Sequence, residues 1–185
     1  MKLTVKEMAL TGVMSALLAI LAPLAIPLST EVPISLATLA VMLNGALLGK
    51  KMGTLSVMIY IILGIIGIPV FAGYSAGAGV VYGMTGGYIL GYLPLAYFTG
   101  WLYEQCRSAK GYKQYAGLAA GMLIGNAILY FIGTIWFMKF TGMELMPSLA
   151  ACVFPFLPGD FLKMAVVCVL VPRLENAVMH TVKYA

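Results

Sequence analysis

Two charged side chains, Asp160 and Lys163, stand three residues apart in a long apolar segment near the end of the chain. At the centre of a membrane-spanning helix each would cost about 2.5–3.5 kcal/mol on insertion scales. Residues at this spacing share one face of a helix and can partly neutralise each other. The pair is therefore either an ion pair that locks helices together or a polar site for a ligand, and we favour the ligand site.

The sequence just before this pair interrupts its helix. Residues 154–159 read Phe-Pro-Phe-Leu-Pro-Gly. A broken helix at membrane depth is tolerated only inside protein or beside a cavity, and it frees backbone N–H and C=O groups for a ligand. The interruption therefore favours a ligand site at Asp160 and Lys163.

A second interruption, residues 69–88, is uncharged and rich in glycine and tyrosine, and it includes Gly73, Tyr82 and Tyr88. Glycine lets the backbone approach a ligand closely, and tyrosine offers an apolar face with a hydroxyl group. A simple connector would not need so many aromatic and apolar residues, so we expect a lid or re-entrant loop. Asn126, with Tyr130 one turn later, either joins two helices or faces the ligand.

The composition places these residues in a membrane. Of the 185 residues 62% are hydrophobic and 9% are charged, and the mean hydropathy is +1.00. A soluble domain carries about a quarter charged residues. The apolar runs are continuous, which favours helices over a barrel. We predict an all-α integral membrane protein of one domain, with six transmembrane helices at about residues 9–28, 34–48, 53–68, 87–103, 116–138 and 149–171.

The charges outside the six predicted spans set their orientation. Nine of the eleven lysines and arginines fall on one side of the model, namely Lys2, Lys6, Lys50, Lys51, Arg107, Lys110, Lys113, Arg173 and Lys183. The opposite side has Glu31, Lys139 and Glu144. Because lysine and arginine are retained on the cytoplasmic side, both termini are predicted to be cytoplasmic.

The first predicted helix carries a face of small residues, Ala9, Gly12, Ala16 and Ala19, at three- and four-residue spacing. Such faces let helices approach closely. This one packs either inside the bundle or against another membrane protein, and the sequence leaves both possibilities open.

Several kinds of chemistry lack their residues. The chain has no phosphate-binding lysine loop, so we do not expect it to hydrolyse ATP. Its single histidine and three widely separated cysteines give no reason to expect a metal or a catalytic site. We therefore predict no enzyme and no cofactor, but a binding protein whose pocket suits a largely apolar ligand with a few polar groups.

Four stretches of the chain resemble the BioY family, the biotin-specific substrate-binding (S) components of energy-coupling factor (ECF) transporters. These stretches are residues 32–41, 67–73, 85–88 and 154–163, of which the last is the most specific. Together with the six predicted spans, they extend the resemblance over nearly the whole chain.

The resemblance implies an ECF S-component-like bundle in the cell membrane, with a high-affinity biotin site near the outer face under the loop between the third and fourth spans. It implies three partners besides biotin: a transmembrane coupling protein and two cytoplasmic ATPase subunits, which consume the ATP. The small-residue face of the first helix would be the docking surface. No nucleic acid is expected.

The resemblance also suggests roles for the site residues. Asp160 would accept a hydrogen bond from an N–H of the ureido head of biotin. Lys163 would donate to the ureido carbonyl or pair with the carboxylate, and we favour the head group for both residues. Further contacts are expected from Tyr82, Tyr88, Gly73, Thr38 and Asn126. The alternatives are an S component for another vitamin, a self-sufficient carrier or channel, and a purely structural subunit.

Overall fold

The computed structural model describes residues 4–26, 34–109 and 112–183. Its helices are α1 Val5–Leu21, α2 Ala37–Ile65, α3 Ala78–Tyr82, α4 Gly86–Cys106, α5 Tyr112–Thr141, α6 Leu145–Cys152 and α7 Leu157–Lys183. Two strands of two residues each, β1 Ala25–Ile26 and β2 Ile34–Ser35, pair antiparallel between α1 and α2. The predicted loop charges Lys2, Glu31 and Lys110 lie outside the described residues.

Helix α2 is folded back on itself at Gly49, whose φ of 78° and ψ of 174° are not helical. The amide of Asn44 donates to the Ser56 hydroxyl at 2.8 Å, although twelve residues of straight helix would separate them by about 18 Å. Gly53 lies so close to the first arm that an added Cβ would be 2.6 Å from the carbonyl oxygen of Asn44. Residues 37–48 and 50–65 are therefore two antiparallel arms, which overlap the second and third predicted spans.

Helices α4 and α5 pack against each other along their length, and α4 also packs against α2. Gly117, Gly121 and Gly125 lie at four-residue spacing on α5, and all three are buried. An added Cβ at Gly121 would be 2.8 Å from the carbonyl oxygen of Phe98 on α4. Small residues at this spacing let two helix backbones approach closely within a membrane, so these glycines fix the spacing between α4 and α5.

The last helical segment is broken, as the two prolines and the glycine predict. Helix α6 ends at Cys152 and α7 begins at Leu157, and the two helices meet at an angle of 47°. Among the described residues, α5 is long and apolar enough to cross a membrane, and α2 reaches this length and hydropathy when its two arms are counted together. The bent pair of α6 with Leu157–Glu175 also qualifies when it is counted as one span.

Residues 66–85, which we call the lid segment, connect α2 to α4. The segment contains a 3-10 turn, Ala72–Tyr74, and the short helix α3. The ring of Phe71 is buried against α2, edge-on to Tyr60 at a centroid distance of 5.7 Å. The indole of Trp136 on α5 donates to the carbonyl of Gly83 at 2.8 Å. Both ends of the segment are therefore held by the bundle.

Three predicted boundaries are wrong. The first helix starts at Val5 instead of residue 9, because Thr4 and Glu7 form a capping box. It ends at Leu21 instead of residue 28, because Pro23 follows and β1 pairs with β2. The same pairing delays the next helix from residue 34 to Ala37.

Candidate ligand-binding site

Asp160 lies in the first turn of α7, immediately after the break, and its side chain is buried. One carboxylate oxygen, Oδ1, accepts from the Thr38 hydroxyl at 3.0 Å and from the Lys163 ammonium at 2.9 Å. The other oxygen, Oδ2, accepts from the Tyr130 hydroxyl. A carboxylate offers about four acceptor positions, so one position on Oδ2 remains open after these three bonds.

The Lys163 ammonium is fully occupied. Besides Asp160 it donates to the carbonyl oxygen of Ser35 at 2.8 Å and to the Thr38 hydroxyl at 2.9 Å. An ammonium has three N–H donors and no acceptor. Each donor therefore has a protein partner, and Lys163 holds Asp160 against the start of α2.

A cavity of about 400 Å³ opens beside the pair, and we call it the inner cavity. Its walls come from the start of α2, from α4, from α5 and from the α6–α7 break. They are formed by Ser35, Thr38, Tyr88, Tyr92, Leu129, Tyr130, Cys152, Phe156, Asp160 and Lys163. Such a mostly apolar hollow with a few convergent polar groups is typical of small-molecule sites.

A second cavity of about 640 Å³, the lid cavity, lies beneath the lid segment. It shares Ser35, Tyr88 and Tyr92 with the inner cavity, so the two hollows meet at a common wall. Its other walls are Tyr60, Phe71, Ala72, Ser75, Val80, Thr85 and Ile89. Together the cavities extend from Asp160 to the lid segment.

The three tyrosines of the inner cavity differ in what their hydroxyl groups do. Tyr88 donates to the carbonyl oxygen of Cys152 at 3.3 Å, and Tyr130 donates to Asp160. The hydroxyl of Tyr92 makes no hydrogen bond to any described residue, and its ring borders both cavities. Tyr92 therefore offers a donor at the point where the cavities meet.

Of the seven predicted site residues, four line the inner cavity together and three do not. The four are Asp160, Lys163, Thr38 and Tyr88. Tyr82 does not line either cavity, because it ends α3 with 74% of its surface exposed. Gly73 lies in the 3-10 turn with a φ of 67°, and its N–H donates to the carbonyl of Pro23.

Asn126 is buried on α5 and lines neither cavity. It borders a crevice of about 480 Å³ between α5 and α7, which Tyr130 and Asp160 also line. Neither polar atom of its amide has a partner among the described residues. Asn126 and Asp160 thus line a common crevice, and only Asp160 also lines the inner cavity.

The small-residue face of α1 points away from the bundle. Ala9, Gly12 and Ala16 are exposed and Ala19 is half-buried, whereas Thr11, Met14, Ser15 and Leu18 are the buried residues of this helix. A Cβ added at Gly12 would meet no atom within 4 Å. Of the two possibilities left by the sequence, this exposure favours contact with another membrane protein.

A second polar cluster lies near the other end of the bundle. The carboxylate of Glu175 on α7 accepts from Tyr103 at 2.5 Å, from Gln114 at 3.2 Å and from Arg107. Lys50, beside the fold in α2, pairs with Glu104 at 3.5 Å. Neither cluster borders the inner cavity or the lid cavity, so these charges connect helices of the bundle and do not line the candidate site.

The sequence reasoning missed Tyr92 and Ser35 and did not assign Tyr130 to the site. Tyr92 lies four residues after Tyr88 and thus on the same face of α4, a spacing that was available as a signal. Ser35 contributes a backbone oxygen to Lys163, and a side-chain pattern carries no signal for such a contact.

Comparison with known proteins gives a consistent result. A family model described as "BioY family" matches residues 1–180. The chain is 34% identical over 170 residues to "Biotin transporter BioY2" of Lactococcus lactis subsp. cremoris, covering 92% of this chain and 90% of the relative. It is 35% identical over 171 residues to "Probable biotin transporter BioY" of Pyrococcus horikoshii, covering 92% and 97%.

A solved structure is similar over the same extent. It is described as the S-component for biotin from an ECF-type ABC transporter, and it matches with a TM-score of 0.85 and 31% identity. The match covers 95% of both chains.

Proposed function

The chain belongs to the BioY family, and on this premise we propose that it is a membrane subunit that binds biotin and delivers it to an ATPase-driven ECF module. The observation that carries the proposal is the buried carboxylate of Asp160, held on the wall of a mostly apolar cavity with one acceptor position open. The names of the relatives and of the similar solved structure support biotin as the ligand.

The chemistry of biotin suits this cavity. Biotin has a ureido head with two N–H donors and one carbonyl, an apolar ring and a carboxylate tail. Asp160 accepts a ureido N–H at the open position of Oδ2, and Tyr92 donates its free hydroxyl to the ureido carbonyl. A hydrogen bond to an ionised acceptor is roughly twice as strong as a neutral one. Tyr88 and Phe156 supply apolar surface for the ring.

The remaining predicted residues have different roles in the proposed site. Thr38 and Lys163 fix the carboxylate of Asp160 through the bonds at 3.0 and 2.9 Å. Gly73 lets the lid segment turn beside Ala72 and Ser75, which line the lid cavity. Asn126 lines a crevice together with Asp160, and its amide has no partner among the described residues. Tyr82 lies exposed at the end of α3, within the lid segment.

We propose six passes through the plasma membrane with both termini in the cytoplasm. The two arms of α2 supply two of these passes, and the bent α6–α7 pair supplies one. The charge pattern supports this orientation, because the reversal in α2, the end of α4 and the start of α5 carry Lys50, Arg107 and Lys113, and none of these residues lines either cavity. The site then opens near the outer face.

The transmembrane coupling protein would dock on the exposed face formed by Ala9, Gly12, Ala16 and Ala19. Two cytoplasmic ATPase subunits would supply the energy, because ATP-dependent uptake requires a nucleotide site that this chain lacks in sequence. The subunit itself then binds and releases biotin without catalysing a reaction.

Titration of the purified protein with labelled biotin tests the function directly. We expect saturable binding at one site, with unlabelled biotin as an effective competitor. Competition with other vitamins separates an S component of different specificity. Absence of binding at micromolar biotin would reject the proposal.

A further inference from the structure

The inner cavity has no net charge to offer a ligand. Asp160 and Lys163 are the two charged residues in its described walls, and they pair with each other at 2.9 Å. All three N–H donors of Lys163 are bonded to protein oxygens, of which Ser35 and Thr38 supply two. A carboxylate that bound this ammonium would have to displace one of those partners.

The lid cavity is uncharged throughout its described walls. The sequence strengthens this point, because no lysine, arginine, aspartate or glutamate occurs from residue 52 to residue 103, which includes the lid segment and most of α4. The described walls of the lid cavity therefore supply no cation to a ligand.

The lid cavity does offer neutral hydrogen-bonding groups. Thr85 precedes α4 without capping it, and its hydroxyl makes no hydrogen bond to any described residue. The Ser75 hydroxyl donates to the carbonyl of Ala72 at 2.9 Å and retains its acceptor positions. A hydroxyl group can donate to the oxygen of an amide or an ester and not only to that of a carboxylate.

The charges and hydroxyl groups of the two cavities indicate how biotin would be oriented. A ureido head at Asp160 directs the acyl tail across the shared wall at Tyr88 and Tyr92 into the lid cavity. There the tail meets hydroxyl groups and apolar surface, but no cation. Burying an ionised carboxylate without a partner of opposite charge is costly, so a charge on the tail gives the ligand no advantage.

We propose that this site selects cyclic ureas by their head group and accepts an uncharged acyl tail, so that biotin amides and esters are ligands as well as biotin itself. Lys163 is then a positioning residue, which acts by holding Asp160. The inference rests on the proposed function, because it assumes the ureido head at Asp160.

The test compares the dissociation constants of biotin, biotinamide and biotin methyl ester for the full-length protein in detergent. We expect the two neutral compounds to bind within tenfold of biotin. A tail held by a lysine would lose a hydrogen bond to a charged group, which corresponds to roughly 10- to 150-fold. Neutral compounds that bind more than tenfold more weakly than biotin would overturn the inference and leave the proposed function intact. If biotin itself does not bind, the proposed function fails.

The variant Lys163→Met separates positioning from direct contact. If Lys163 only holds Asp160, the variant weakens biotin and biotinamide by the same factor, and the ratio of their dissociation constants stays within threefold of wild type. A loss of affinity confined to biotin would show that Lys163 binds the carboxylate, which contradicts the inference. Should this variant fail to fold, the comparison of ligands on the wild-type protein decides alone.

Thr85→Val provides a matched change at the other end of the hollow. It removes the free hydroxyl and keeps the shape of the side chain. We expect it to weaken binding of the amide as well as of the acid, whereas an effect on the acid alone would indicate a charge-specific tail site and count against the inference.

Discussion

Asp160 and Glu175 lie on the same helix, α7, and each carboxylate accepts hydrogen bonds from three side chains. Fifteen residues of helix separate them by about 22 Å. Asp160 borders the inner cavity, whereas Glu175 borders neither cavity described here. The two residues therefore form a matched pair for mutation to the isosteric amides.

Asp160→Asn keeps one oxygen for Thr38 and Lys163 but replaces the other with an N–H₂ group. The open position that would accept the ureido N–H then carries a donor. A hydrogen bond to a charged group contributes about 1.5–3 kcal/mol, which predicts a loss of biotin affinity of about 10- to 150-fold. Glu175→Gln disturbs a comparable network at the other end of the bundle, so we expect lower stability with an unchanged dissociation constant.

Equilibrium dialysis with labelled biotin measures both affinities, and thermal unfolding in detergent measures both stabilities. Fluorescence of Trp136, which contacts the lid segment through Gly83, gives an independent binding signal. The reasoning is refuted if Asp160→Asn folds and binds biotin within threefold of wild type. It is refuted equally if Glu175→Gln weakens binding as much as Asp160→Asn does.

Three further predictions concern packing, the lid segment and docking. Gly121→Val places a side chain against the Phe98 carbonyl, 2.8 Å from an added Cβ, and overpacking of this kind costs about 1–3 kcal/mol; an unchanged unfolding midpoint would contradict the close α4–α5 contact. Phe71→Ala removes the ring that packs on Tyr60, so biotin should dissociate at least tenfold faster in stopped-flow measurements. An unaltered dissociation rate would show that the lid segment does not retain the ligand. Gly12→Leu should retain biotin binding but abolish ATP-dependent uptake in liposomes with the ECF module, and normal uptake would place docking elsewhere.

Local sequence signals were sufficient where one property dominates. Continuous apolar runs predicted the helices, and the prolines within 154–159 predicted the break before α7. The first helix was extended too far because hydropathy does not register the pairing of β1 with β2. The second and third predicted spans are short because the chain reverses at Gly49 within α2.

Local sequence signals likewise predicted only part of the candidate site. Asp160 and Lys163 were identifiable as candidates because charge is rare in apolar sequence. Tyr88 was a candidate because it lies in the glycine- and tyrosine-rich interruption, and Thr38 because of the family resemblance. Tyr92 was missed because a tyrosine in an apolar helix looks like a core residue until its neighbours are known. Helix α3 turns Tyr82 outward, and no local pattern reports the direction of so short a helix.

The central claim is that the open oxygen of Asp160 receives the ureido head of biotin. A structure of the protein with biotin bound measures this contact directly. We predict a ureido nitrogen about 2.7–2.9 Å from Oδ2 of Asp160, with the carboxylate tail beneath the lid segment. Biotin bound away from the inner cavity, with the Asp160–Lys163 pair remote from it, would contradict the account.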